Sequence, residues 1–143
     1  DLLPIKIKKI HGSNLNKNLN IKFFIHVLKF VKSNAIAIFD NEKLLSQCGG
    51  QTSRIDALRN SIYKLKQLHK VSLNKPLYLI SDAFFPFEDS LKYIQSTKLN
   101  IKIFVPMGSI NDHKIITYAK KNKMTLYELY FHHIRSYYNV ENI

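Results

Sequence analysis

Beyond residue 76 the chain repeats one pattern: an apolar run of strand length, a polar break, then a helix-length stretch with apolar residues three and four apart. Leu77–Ile80 is followed by Phe87–Thr97 and Ile101–Val105 by Asn111–Lys123, and Thr125–Leu129 closes the series. Upstream, Ile21–Val31 reads as an amphipathic helix. Asn34–Phe39 and Leu44–Cys48 read as the strands of a hairpin around Asp40–Lys43, and Gly49-Gly50 breaks the pattern before a helix over Ser53–Val71. Strands alternating with helices after an opening hairpin predict an α/β fold, a three-layer α/β/α sandwich with a mostly parallel sheet and an N-terminal hairpin. Residues 1–20 are rich in Lys and Asn, carry Gly12 and Ser13, and show no sustained period. They are expected to be a linker or lid-like lead-in to a folded unit over 21–143.

The 143 residues, 45% of them hydrophobic, suffice for one domain with a real core. The stretch Ile21–Val31 is broken by Lys22, His26 and Lys29 and falls short of a membrane span. Cys48 is the one cysteine, which precludes an internal disulfide and suggests a reducing, cytoplasmic compartment. A formal net charge of +12 raises nucleic-acid or other polyanion binding. That charge comes from 19 Lys and only 3 Arg, scattered over every segment alongside 13 Asn and 18 Ile. The pattern is a compositional bias towards Lys, Asn and Ile, and the scarcity of Arg speaks against a dedicated nucleic-acid reader. Neither a phosphate loop nor a dinucleotide fingerprint is present, and a single cysteine cannot supply the ligands of a zinc deaminase.

The stretch Ser81-Asp82-Ala83-Phe84-Phe85-Pro86-Phe87-Glu88-Asp89 has the character of a ligand site, because the Pro76–Ile80 run empties into it where an α/β sheet ends and its crevice opens. Pro86 suits the first turn of a helix, and Asp89 is favoured there by the helix dipole while still able to accept hydrogen bonds. Core phenylalanines and a dipole-complementing Asp89 form the alternative. Asn34, at the head of a strand, can both donate and accept, or can simply turn the chain. Ser53 and Asp56 make an adequate cap, but Arg54 opposes the dipole of the helix it opens, a local rule broken for a reason. A ligand contact and a surface pairing with a nearby acid both answer it. Gly49 and Gly50 would let backbone approach closely. Gly108-Ser109 offers amide donors before a helix, with Ser109 or Asn111 as plain caps in the alternative.

The nonapeptide from Ser81 to Asp89 resembles one in the transformylase domain of the bifunctional purine biosynthesis protein family, which formylates aminoimidazole carboxamide ribonucleotide (AICAR) and cyclises the product to inosine monophosphate. Three more segments agree in the family's order: Val31-Lys32-Ser33-Asn34-Ala35-Ile36, Gly49-Gly50-Gln51-Thr52-Ser53-Arg54-Ile55-Asp56, and Pro106-Met107-Gly108-Ser109 followed by Asp112. The resemblance spans about Leu19 to Arg135 and implies a cytidine-deaminase-like fold, with 21–143 as the C-terminal subdomain of the transformylase domain. It implies 10-formyltetrahydrofolate as cosubstrate, a homodimer, and a partner in the remaining N-terminal part of the same protein; the sequence itself calls for no metal. By resemblance, Asn34 supports transfer and contacts AICAR together with Arg54, Phe84 and His132, while Ile55, Asp89, Ser109 and Ile110 contact the folate.

Two departures stand out. Glu88 replaces the family's usual Arg, and His132 in Tyr130-Phe131-His132-His133-Ile134-Arg135 aligns with a nucleotide-binding Arg for which Arg135 is the other candidate. The family's Lys-His catalytic pair lies upstream of every matched segment, and His11-Gly12 does not reproduce it. Together with the start at Asp1, this leads to the expectation of a segment without turnover of its own, cut from a longer enzyme. A non-catalytic nucleotide- or folate-binding module of the same fold, and a basic polyanion-binding domain, are the competing readings.

Overall fold

Six strands join in one sheet in the order β1-β6-β5-β4-β2-β3. In the computed structural model, which describes residues 5–17 and 19–130, these are β1 (Lys6–His11), β2 (Ile36–Phe39), β3 (Leu44–Cys48), β4 (Leu77–Ser81), β5 (Ile101–Pro106) and β6 (Thr125–Tyr130). Four helices lie between them: α1 (Ile21–Leu28), α2 (Arg54–Leu68), α3 (Asp89–Ser96) and α4 (Asp112–Lys121). The α/β class, the hairpin of β2 and β3, and every expected helix are present. Termini differ by a few residues: α1 stops at Leu28 where Val31 was expected, and α2 at Leu68 where Val71 was expected.

The sheet is mixed, which corrects the expectation of a mostly parallel one. Only β4–β5 and β5–β6 are parallel, whereas β1–β6, β2–β3 and β2–β4 are antiparallel. The connection through α2 does carry the chain from β3 to a strand running in the same direction, β4. The hairpin partner β2 is inserted between them, so both neighbours of β2 run against it. Hydrophobic pattern reports that a crossover exists but not which strand fills the gap.

A second correction concerns residues 1–20, expected as a linker. Lys6–His11 is an edge strand whose residues from Lys6 to Lys9 pair in antiparallel register with Tyr130 to Tyr127 of β6. Local pattern is weak here because an edge strand is half solvated: Ile7 and Ile10 pack on the core while Lys6, Lys8 and Lys9 stay exposed. Exposed lysines also discourage further pairing along that edge. The opposite edge, β3, is covered by α2 and the residue that ends it: Lys64 Nζ donates to the Gln47 carbonyl at 3.3 Å and the His69 ring to the Leu45 carbonyl at 3.0 Å.

Both faces of the central strands are buried, and period-two alternation divides their side chains. On one face, Ile21, Phe24, Ile25 and Leu28 of α1 meet Ala37, Phe39, Tyr78, Ile80 and Phe104, with the Phe24 and Phe39 rings stacked 4.2 Å apart. On the other, Leu58, Ile62 and Leu65 of α2, Leu91 and Ile94 of α3, and Ile115 of α4 cover Ile36, Ile38, Leu79, Ile103 and Leu126. Each such side chain contributes about 1.5–3 kcal/mol relative to exposure, so this two-sided burial carries the stability of the sheet.

Candidate functional site

Strand register gathers the candidate residues at one end of the sheet. Ile36 pairs with Ser81 and with Cys48, so Asn34, the Gly49–Gln51 turn and Asp82 all lie beyond the same ends of β2, β3 and β4. The start of α2, with Arg54 and Ile55, follows that turn. β5 runs parallel to β4, which brings Gly108, Ser109 and Ile110 to the same side as Phe84 and Asp89. This is the carboxyl end of the parallel strands, where open α/β sheets bind ligands. The side chain of Asn111 ties the two loops by donating to the Pro86 carbonyl at 2.9 Å.

The Arg54 guanidinium is paired. One terminal nitrogen lies 2.5 Å from Asp82 Oδ1, with only 12% of the Arg54 side chain and 18% of the Asp82 side chain exposed. This is a sheltered pair, where charges interact more strongly than on an open surface. Burial pushes the guanidinium pKa down from its ordinary value, and the charge and hydrogen bond of Asp82 oppose that shift. Arg54 Nε is buried and has no hydrogen-bond partner among the described residues. Arg54 sits against the helix dipole because Asp82 holds it there. Asp82 lay within the singled-out nonapeptide, yet sequence reasoning gave it no partner. The signal was an acid closing one strand and a base opening a distant helix, with register unknown.

Asn34 is half-buried, and its side-chain nitrogen donates to the Gln51 carbonyl at 2.9 Å, leaving the amide oxygen as an acceptor. Gly49 lies close against the chain itself. A Cβ there would stand 2.4 Å from Val31 Cγ1 and 2.6 Å from the Lys32 carbonyl oxygen, and the Gly50 N–H donates to that carbonyl. The close approach that this glycine permits is to the chain's own α1–β2 loop.

The three phenylalanines divide. Phe85 is core at 1% exposure, while Phe84 and Phe87 are exposed at 39% and 62%. Asp89 opens α3, stands exposed, and spends one oxygen on the Ser90 N–H at 2.9 Å. Glu88, preceding it, makes no side-chain cap. The amides of Gly108 and Ser109, expected to be free for a ligand, both donate to the Asp112 carboxylate, at 2.8 and 3.0 Å. A side chain in the first turn of α4 satisfies them, which sequence distance alone could not distinguish from a bound anion. Ser109 Oγ accepts from the Asn111 N–H at 3.1 Å, and Ile110 is 92% exposed. Ile55 is half-buried against the core. His132 and its alternative Arg135 lie outside the described residues. Among the described residues no cluster of His, Cys, Asp and Glu is placed to hold a metal ion, and no helix is long and apolar enough to cross a membrane.

Residues 8–64 match the family model described as AICARFT/IMPCHase bienzyme. The bifunctional purine biosynthesis protein PurH of Buchnera aphidicola is 37% identical over 90% of this chain, which spans 29% of that relative. PurH of Wigglesworthia glossinidia is 39% identical over 73% of the chain, and that of Fusobacterium nucleatum 35% over 73%, covering 19% and 20% of those proteins. The chain thus spans less than a third of the length of these curated relatives. Matched from the first strand through both candidate loops, the chain belongs to the family of bifunctional purine biosynthesis proteins.

Proposed function

We propose that the unit expected over 21–143, together with the edge strand β1 that completes its sheet, is the C-terminal subdomain of a transformylase domain with a three-layer, cytidine-deaminase-like architecture. As part of a longer protein, it would transfer a formyl group from 10-formyltetrahydrofolate to AICAR. The observation that supports this reading best is convergence: Asn34, Arg54, Phe84, Asp89 and Ser109 sit in four separate segments and meet at one end of the sheet.

An aromatic amine is a weak nucleophile; its attack on the formyl carbon creates an oxyanion while a proton leaves the amine, and collapse of that intermediate breaks the bond from the formyl carbon to the folate N10, which takes up a proton as tetrahydrofolate leaves. Placement of the two substrates therefore carries much of the rate. Arg54 and Phe84 hold the nucleotide, and Asn34 presents an amide that can orient it or the formyl oxygen. Asp89 accepts from the pterin, flanked by Ile55, Ser109 and the exposed Ile110. His132 or Arg135 supplies the phosphate-side contact. The proton-moving Lys-His pair belongs to the N-terminal part of the enzyme, which works as a homodimer.

The test is formylation of AICAR, followed by consumption of 10-formyltetrahydrofolate. The full-length protein is expected to turn over and the 143-residue chain alone to give no measurable rate. A full-length protein without AICAR-dependent turnover would overturn the proposal, and robust turnover by the isolated chain would overturn the division of labour.

A further inference from the structure

The geometry points to Asp82 as a positioning residue that locks Arg54 and Asn34 into one unit; this rests on the nucleotide-binding reading of those two side chains. Both carboxylate oxygens of Asp82 are committed to protein donors. Oδ1 accepts from Arg54 at 2.5 Å and from the Ala35 N–H at 3.2 Å, and Oδ2 accepts from the Ser33 hydroxyl. The Asp82 N–H in turn donates to the Ala35 carbonyl at 3.2 Å.

The residues on either side of Asn34 are thus both bonded to one carboxylate, and the same carboxylate holds Arg54. Asn34 itself is bonded through its side chain to Gln51, three residues before Arg54, which closes the ring of contacts. With both carboxylate oxygens bonded to the protein, Asp82 acts on a ligand through Arg54 and Asn34. Removing its charge leaves a mostly buried guanidinium with several donors and no charged partner, free to reorient.

The experiment compares Asp82→Asn, Arg54→Ala and the double variant in the full-length protein. Asn retains the shape and an acceptor for Ala35, so the backbone bond survives while the charged pairing is lost. The nucleotide KM of Asp82→Asn is expected to rise by about tenfold or more, with kcat and the folate KM within about threefold, because a charge-assisted bond is roughly twice as strong as a neutral one. In the Arg54→Ala background the same change should add less than about twofold, the signature of one coupled unit. An equal effect in both backgrounds, or a lowered melting temperature with an unchanged nucleotide KM, overturns the proposal.

A second readout does not depend on activity. Nitrogen-15 spectra of arginine-labelled protein should show faster rotation and solvent exchange of the Arg54 guanidinium in Asp82→Asn than in the parent. Unchanged exchange overturns the positioning role, even where absence of turnover in the parent has already overturned the proposed reaction.

Discussion

Asp89 and Arg54 carry charge in opposite settings, and their substitutions should read out differently. Asp89 is exposed and its one bond within the described residues goes to the adjacent amide, so the fold asks little of it. If it accepts from the pterin, Asp89→Asn keeps the shape and loses a charged acceptor. A charged hydrogen bond contributes about 1.5–3 kcal/mol, so the folate KM of the full-length protein should rise by about one to two orders of magnitude, with the nucleotide KM little changed. A role confined to the helix dipole predicts normal folate kinetics and a stability loss of about 0.3–1 kcal/mol. Measuring KM and the unfolding midpoint on the same variant decides between them. Arg54 shows what a sequence can reveal at this scale. Its conflict with the dipole of α2 was legible from Ser53-Arg54 alone, but its resolution by Asp82 needed two segments brought side by side.

Helix ends decided more of the site than the helices' interiors did. Ser53 caps α2 as its spacing to Asp56 suggested, with the Asp56 N–H donating to Ser53 Oγ at 3.2 Å and the hydroxyl donating back to the carboxylate at 2.8 Å. The start of α4 went differently. Asn111 makes no cap through its side chain; Ser109 Oγ accepts from the Asn111 N–H, and Asp112 reaches back to the amides of Gly108 and Ser109. Asp112→Ala should therefore cost about 0.5–2 kcal/mol, the range of a lost cap, measured by urea unfolding of the full-length protein. If the Gly108–Ser109 turn also borders the folate, its loosening raises the folate KM in the same variant. A stability loss without that change would separate the turn from the site. The exposure of Phe84 and Phe87 beside the buried Phe85 belongs to this scale too: three identical residues in four positions, sorted by the geometry of one loop.

For the whole molecule, the edge strand β1 is the element on which the expected and observed folds differ most. Ile7 and Ile10 pack on opposite cores, so Ile7→Asp with Ile10→Asp should detach β1 and leave β6 as the new edge. Amide exchange at Leu126 to Leu129 is then expected to quicken while that of β4 stays slow; uniform protection in both strands would mean that β1 adds nothing. The α/β class, the hairpin, the helices and the residues that gather at the carboxyl end of the sheet were readable along the chain, because each depends on periodicity or on motifs a few residues long. The strand order, the antiparallel placing of β2 beside β4, the pairing of β1 and the Arg54–Asp82 contact were not. Those depend on which distant segments become neighbours, a choice made by competition among burial arrangements of the whole chain. Local hydrophobic pattern says that a face must be covered, and only the assembled tertiary structure says by what.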